Sequence, residues 1–98
     1  MAHAHIPGAD LIEANLRDTD LGDADLFHAD LRRADLRSAR LPRADLRGAN
    51  LRGANLSGAN LTGANLTGAK GLTPGQLDQA CGEDVKLDPG LPIKPCQK

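Results

Sequence analysis

The stretch ADLRGANLRG at residues 44–53 consists of two five-residue units with one pattern: a small residue, a polar residue (here Asp or Asn), a large aliphatic residue, then two variable positions. Outward from it the pattern runs without a break from Ala4 to Gly68, as thirteen consecutive units in a chain of 98 residues. The large position is Ile6 and then always Leu, and the small position is Ala except at Thr19. A single repeated unit predicts a stacked-repeat architecture, in which each unit packs against its neighbours.

A period of five suits neither regular secondary structure. On an α-helix, five residues advance by about 500°, which scatters successive leucines around the helix. On a continuous strand, side chains alternate between faces every residue, so the leucines would alternate as well. The chain must therefore turn a corner once in each unit, with Ala and Leu pointing inward and Asp or Asn pointing outward.

The two variable positions are predicted to form β-turn corners. The last position is Gly in the later units, where a type II turn needs a positive φ, but mostly Glu, Asp or Arg in the earlier ones. We therefore expect type I-like corners in the first half of the repeat region and type II corners in the second half. The glycines concerned are Gly48, Gly53, Gly58, Gly63 and Gly68, and the earlier charged residues are Glu13, Asp18, Asp23, Arg33 and Arg43.

The run from 4 to 68 resembles the pentapeptide-repeat proteins, and most closely the short bacterial members of cyanobacterial type. The resemblance implies an all-β solenoid: a right-handed quadrilateral parallel β-helix with twenty residues per coil, here about three coils. The spacing of charged residues gives a weak test of whether a coil has four sides or three, which correspond to twenty or fifteen residues per coil. Charged residues twenty apart form three opposite-sign and four like-sign pairs, whereas a spacing of fifteen gives two and six.

The repeat stops at Gly71, where the next Leu is due, and a different segment follows. Thr73 as N-cap, Pro74 as the first helical residue and Gln76 as the partner in a capping box predict a short helix over about 74–81. The proline-rich remainder is predicted to be extended. We therefore divide the chain into a β-helix at 1–70 and a C-terminal cap at 71–98, with a partner-binding arm as the alternative role for the tail.

No comparable lid precedes residue 4, so the first coil is expected to be uncovered at its N-terminal end. The residues at this candidate docking end are Ile6, Ala9, Leu11 and Ala14. We predict that it docks against another protein, either a second copy of the chain or another pentapeptide-repeat chain. The alternative is a frayed first coil in a monomer.

Composition narrows the classes of partner. Twelve basic and thirteen acidic residues give a net charge of −1, so no overall field attracts nucleic acid or an anionic membrane. No signal-peptide pattern or transmembrane-length apolar run is present, and we expect a cytoplasmic location. Cys81 and Cys96 are expected to be buried thiols in a reducing compartment, with a disulfide between them as the alternative.

Charge is graded along the chain. Seven acids and only Arg17 lie in residues 1–31, while residues 32–52 hold seven arginines, and residues 53–69 hold no charge. These arginines form a candidate basic belt, which would contact phosphate or an acidic partner; the alternative is pairing with acids one coil away. The belt consists of Arg32, Arg33, Arg37, Arg40, Arg43, Arg47 and Arg52.

An interior filled with Leu and Ala leaves no pocket for catalysis, so we expect no enzyme activity, no cofactor and no structural metal. His3, His5 and His28 are weak metal candidates, the first through an amino-terminal Met1-Ala2-His3 chelate. The expected function is that of a protein-interaction or scaffold module. The alternative is a DNA mimic that binds gyrase, as some pentapeptide-repeat proteins do, but residues 4–68 carry nine acids and eight bases, far from the charge of DNA.

Overall fold

The computed structural model describes residues 2–96, and Met1, Gln97 and Lys98 lie outside the described residues. The backbone winds into a parallel β-helix whose contacts between coils are single-residue bridges. Each bridge joins the Asp or Asn position of one unit to that of the unit twenty residues later, from His5 with Asp25 through to Asn50 with Lys70. Four units thus complete one turn of the coil, which is the spacing that the charge pairs favoured.

Two kinds of hydrogen bond repeat along the coil. Between consecutive units, the N–H of the small residue donates to the carbonyl of the large residue of the unit before it, as in Ala34 to Leu31 at 3.0 Å, and this closes the corner. Between coils, Leu31 N–H donates to Asn50 O at 2.8 Å, and Asn50 N–H donates to Ala29 O at 2.9 Å. A coil with a neighbour on each side therefore pairs most of its backbone groups without any long strand.

The interior contains the repeated apolar residues, joined at the C-terminal end by Leu77 and Ala80. Leu21, Leu36 and Leu61 are each 1 % exposed, and Ala39 and Ala59 are completely buried. No polar or charged residue is buried among residues 2–96. The alternation of Ala and Leu thus fills the coil, as the sequence predicts.

The prediction of two corner types is wrong. The last corner position has a positive φ in both halves of the repeat region, whether it is Glu13 at 60°, Ser38 at 58° or Gly58 at 72°. The first corner position is not in this region, so every corner has the dihedral pattern of a type II turn. The coil imposes the turn because each corner N–H must reach the next coil, as in Glu13 N–H to Arg32 O at 2.9 Å. Where the residue is not glycine, the ladder offsets the conformational cost of about 1–2 kcal/mol.

The outward Asp or Asn side chain also supports the corner. Its Oδ1 accepts a hydrogen bond from the backbone N–H two residues later, as Asn55 does from Ser57 at 3.0 Å. Two units lack Asp or Asn at this position, those of His5 and Arg40, and in both the residue two positions later is a proline, which has no N–H to donate. Asp or Asn is therefore preferred at this position because its side chain accepts a hydrogen bond from the N–H of the first corner residue.

This bond predicts a contrast between two exposed positions. Asn55→Ala should lower the free energy of unfolding by about 0.5–1.5 kcal/mol, because Ser57 N–H loses its acceptor. Arg40→Ala should stay within about 0.5 kcal/mol of wild type, because Pro42 has no N–H to satisfy. Urea unfolding of both variants measures the difference. Equal losses at the two positions would contradict this role of the side chain.

After the repeats comes one short helix, α1 (Pro74–Asp78). The predicted capping box is present: Thr73 Oγ1 accepts from Gln76 N–H at 3.2 Å, and Gln76 Oε1 accepts from Thr73 N–H at 2.8 Å. The helix ends at Asp78, earlier than predicted, because the next residues return to the coil. Gly58 N–H donates to Gln79 O at 2.8 Å, and Cys81 forms a bridge with Asn60.

The expectation of buried thiols is wrong. Cys81 and Cys96 form a disulfide, with their Cα atoms 4.8 Å apart. Cys81 is half-buried in the ladder, and Gly82 N–H donates to Lys94 O at 2.9 Å, which lays the end of the tail beside it. This return of the tail depends on its path after α1, and the spacing of the cysteines alone does not reveal it.

Candidate docking surface at the first coil

Apolar residues in the first part of the first coil are less covered than their equivalents in later coils, whereas Leu16 and Leu21 are already buried. Ile6, Ala9, Leu11 and Ala14 are all half-buried, whereas the corresponding residues one coil later are buried. Leu11, for example, lies below Leu31, which is fully buried. The four residues of the candidate docking end thus lie together on one end of the coil, as the repeat register requires.

The backbone at this end is open as well. In later coils the N–H of the Asp or Asn position donates to the coil before it, as Asp30 does to Ala9 O at 2.9 Å. Within residues 2–96, the equivalent N–H groups of Asp10, Asn15 and Asp20 have no acceptor, and their carbonyls have no donor. The end therefore combines half-covered apolar side chains with unpaired backbone groups, which is the template that another chain can pair with.

The opposite end of the coil is covered. Leu61 N–H donates to Cys81 O at 2.7 Å and Leu66 N–H to Lys86 O at 2.8 Å. Gln76 Nε2 donates to the carbonyls of Leu51 and Ala54, at 2.8 and 3.1 Å. Residues 70–88 thus supply partners for most of the last coil's outward backbone groups.

The rim of the first coil is acidic. Residues 2–21 contain four acids against Arg17, a net charge of −3 with histidine neutral. Glu13 pairs with Arg33 one coil later at 3.2 Å, and Arg17 lies 4.0 Å from Asp35. Among the described residues Asp18 and Asp20 form no ion pair. The predicted amino-terminal chelate includes Met1, which lies outside the described residues. Within residues 2–96 no group of side chains is placed to hold a metal ion, and His5 Nδ1 lies 2.8 Å from Asp25.

The arginines of the candidate basic belt lie around the whole coil rather than on one face. Arg33 and Arg43 pair with Glu13 and Asp23, at 3.2 and 2.9 Å, as the column pairing predicts. The third predicted pair, Asp20 with Arg40, does not form, although the two residues are bridged. The belt is therefore partly neutralised by column pairs.

Three further ion pairs were missed by sequence reasoning. Each joins an aspartate to the arginine two residues later: Asp30 to Arg32 at 2.8 Å, Asp35 to Arg37 at 2.7 Å and Asp45 to Arg47 at 2.7 Å. The signal that could have found them is the repeated tripeptide Asp-Leu-Arg, whose first and third residues lie on the same side of the chain. Five of the seven belt arginines thus have a carboxylate partner.

These contacts shift the pKa values of the aspartates. The hydrogen bond from Arg37 lowers the pKa of Asp35 to about 2, and hydrogen bonds from Arg43, Arg32 and Arg47 lower the pKa values of Asp23, Asp30 and Asp45. An aspartate whose pKa is lower in the folded than in the unfolded state stabilises the fold. This stabilisation is fully present above the unfolded-state pKa near 3.8, and it is lost as the pH falls through the folded-state pKa.

We expect the melting temperature to be insensitive to these aspartates above about pH 5 and to fall between about pH 4 and pH 2. Asp35→Asn should make this acid-side fall shallower, because its amide does not titrate while it can still accept from Arg37 N–H. Thermal unfolding across this pH range, followed for both proteins, measures the difference. Identical acid-side slopes would contradict the shift assigned to Asp35.

Phe27 is the only aromatic residue in the sequence and is 38 % exposed. The guanidinium carbon of Arg47 lies 5.1 Å from its ring centre, and His28 meets it edge-on at 4.1 Å. The cluster lies at a corner of the second coil, where Phe27 O accepts from Gly8 N–H at 2.8 Å. Because the Phe27 side chain is exposed at this corner and is not one of the half-buried residues of the open end, it is a useful control position for experiments on that end.

Comparison with known proteins places the chain in a family. The family model described as pentapeptide repeats (8 copies) matches residues 1–33 and 29–68, which together exceed half of the chain. The chain belongs to the pentapeptide-repeat family, and the resemblance drawn from its motif is confirmed. The fold is accordingly a right-handed β-helix solenoid.

Several solved structures are similar to this chain. Rfr23, a pentapeptide repeat protein from the cyanobacterium Cyanothece 51142, is 34 % identical over 92 % of this chain, with a TM-score of 0.68. HetL from the cyanobacterium Nostoc sp. strain PCC 7120, a pentapeptide repeat protein involved in heterocyst differentiation regulation, is 37 % identical over 87 % of this chain, with a TM-score of 0.45. QnrB1, a plasmid-mediated fluoroquinolone resistance protein, is 17 % identical over 95 %, with a TM-score of 0.48.

The chain is shorter than these proteins. It spans 57 % of the Rfr23 chain, 37 % of the HetL chain and 56 % of the QnrB1 chain.

No curated protein matches the chain. Within residues 2–96 no helix is long and apolar enough to cross a membrane.

Proposed function

We propose that this chain is a non-enzymatic protein-interaction module that docks through the N-terminal end of its first coil. The observation that carries the proposal is the coincidence of two uncovered features at one place. Ile6, Ala9, Leu11 and Ala14 are half-buried, and the backbone groups of Asp10, Asn15 and Asp20 beside them have no partner within residues 2–96. A partner that covers both would bury apolar surface and satisfy the edge of the ladder together.

The proposal includes an architecture of about three coils closed by a C-terminal cap at 71–98. It is supported by the bonds that hold residues 70–88 against the last coil and by the burial of Leu77, which is completely covered. Leu91 and Ile93 also pack against the core from the tail. A covered last coil makes the first coil the end where a partner can bind.

The absence of enzyme activity is likewise a proposal. Its support is the interior, since no polar or charged side chain is buried within residues 2–96 and leucine and alanine offer no acid, base or nucleophile. Pentapeptide-repeat proteins are also generally structural or interaction modules. The gyrase-binding alternative is disfavoured because the belt arginines neutralise the carboxylates that a DNA mimic would need to expose.

The cytoplasmic location stays a prediction. The Cys81–Cys96 disulfide weighs against it, because disulfides form and persist mainly in oxidising compartments. A measurement of the thiol state in freshly lysed cells, with an alkylating trap, would separate the two cases.

A pull-down from the native organism tests the docking proposal, with the tagged wild-type chain compared with an Ile6→Lys, Leu11→Lys variant. Wild type is expected to retain a partner that the variant loses, because lysine at the coil end prevents apolar packing. Phe27→Lys is the control, since it adds a lysine at an exposed apolar residue of the next coil, outside the half-buried set at the end. A partner retained equally by all three proteins would refute docking through the first coil.

A further inference from the structure

We infer that the partner at the first coil is not a second copy of this chain but a different protein, one that presents an apolar coil end surrounded by basic residues. This inference rests on the proposed docking function and specifies its partner. Two copies could meet at this end in two ways, either through their first coils or with the first coil of one copy against the last coil of the next. Each way meets a separate obstacle in the structure.

The first-coil-to-last-coil arrangement is blocked by the chain's own tail. Of the eight outward N–H groups that the last coil presents, six already have acceptors, and residues 70–88 provide all of them. Gly68 N–H, for example, donates to the carboxylate of Asp88 at 3.1 Å. The disulfide holds the rest of the tail to Cys81. Another copy would have to displace this segment to extend the ladder.

The first-coil-to-first-coil arrangement is opposed by charge. Each rim carries Asp10, Glu13, Asp18 and Asp20 against Arg17, so two apposed rims would bring together two surfaces of net charge −3. All four acids are exposed, and Asp18 and Asp20 have no ion pair within the described residues. Like charges brought together at an interface act against the wrong partner.

The same rim favours a basic partner. A surface with carboxylates around an apolar centre is complementary to one with Lys or Arg around an apolar centre. This charge complementarity favours the correct partner and accelerates association at low salt. The ladder edge at Asp10, Asn15 and Asp20 adds backbone donors and acceptors that a coil end of another β-helix can pair with. The occupant is therefore a β-helical chain with an open, basic-rimmed end.

A charge-reversed copy of the full chain serves as the probe. Asp10→Lys, Asp18→Arg and Asp20→Asn in one chain leave Glu13 as the only acid of the rim and change its net charge from −3 to +2. The substitutions suit the fold, since Lys70 occupies the equivalent of position 10 in a later coil, and Arg33 and Arg43 take the same corner conformation as Asp18. Circular dichroism and the melting temperature establish that the probe is folded.

Sedimentation velocity at low ionic strength gives the result. Wild type alone and the probe alone should each sediment as monomers of about 10.3 kDa, and the equimolar mixture should form a species of twice that mass. The mixed species should dissociate as added salt screens the rims and should be absent when either chain carries Ile6→Lys. A control copy with Asp78→Arg and Glu83→Arg, changes of the same kind at the opposite end, should not associate with wild type.

The two proposals fail differently. Self-association of wild type that Ile6→Lys abolishes would overturn the inference about the partner while supporting docking at the first coil. A mixture that stays monomeric would overturn the role assigned to the acidic rim, and the pull-down with Ile6→Lys, Leu11→Lys would still decide the docking function on its own. Association of wild type with the control copy would overturn the assignment of the surface.

Discussion

Replacing a leucine in the middle of the coil, in Leu36→Ala, is expected to lower the free energy of unfolding by about 2–5 kcal/mol. Leu36 is 1 % exposed and lies between Leu16 and Leu56 in a column of leucines at the close-packed interior of the coil. For a domain of this size each lost kcal/mol corresponds to a fall of about 4–8 °C in the melting temperature. Urea or thermal unfolding measures the loss.

Two further substitutions test whether the loss at Leu36 comes from the volume removed and from its place in the middle of the coil. Leu36→Met keeps the side-chain volume and should cost less than about 1.5 kcal/mol. Ile6→Ala, at the half-buried first coil, should cost clearly less than Leu36→Ala, because that site is already partly open. A loss at Ile6 as large as that at Leu36 would contradict the picture of an uncovered first coil.

Reduction of the disulfide is expected to lower the free energy of unfolding by about 3 kcal/mol. Cys81 and Cys96 are 15 residues apart, and a cross-link that closes a loop of this length stabilises a protein by about that amount by restricting the unfolded chain. Denaturant unfolding with and without a reductant measures the change. The double variant Cys81→Ala, Cys96→Ala should unfold at a similarly reduced denaturant concentration and should not respond to the reductant. A wild-type protein whose unfolding ignores the reductant would show that the bond does not form.

Much of the fold follows from the period of five residues alone. Because Ala and Leu recur at fixed positions, most of the residues that fill the interior could be listed from the sequence, and the same register placed Ile6, Ala9, Leu11 and Ala14 in the first coil. Thr73, Pro74 and Gln76 likewise located the start of α1, since the capping box is a local pattern of side-chain and backbone hydrogen bonds.

Other features could not be derived in this way, because they depend on the coil as a whole. Ser38 and Glu13 adopt a positive φ that their residue types disfavour, since the ladder between coils fixes the corner. The end of α1 at Asp78 is set by the return of Cys81 to the ladder beside Asn60. The disulfide depends on the same return.

The acidic rim of the first coil could be predicted only in part, because its net charge depends on which charged residues pair in the structure. The sequence alone revealed that acids are concentrated before residue 32 and arginines after it. The structure shows which of these charges neutralise each other, because five of the seven belt arginines pair with Asp or Glu in their own unit or one coil away. Asp18 and Asp20 at the open end remain without such partners within residues 2–96, and this residual charge specifies the expected partner.

Amide hydrogen exchange of the isolated chain, followed residue by residue by NMR, tests the open first coil most directly. The N–H groups of Asp30, Asp35 and Asp45 donate to the coil before them at 2.9 Å and should exchange slowly. The equivalent groups of Asp10, Asn15 and Asp20 should exchange quickly, since they have no acceptor within the described residues. If these three exchanged as slowly as the later ones, the first coil would already be covered, and the docking surface proposed for it would not exist.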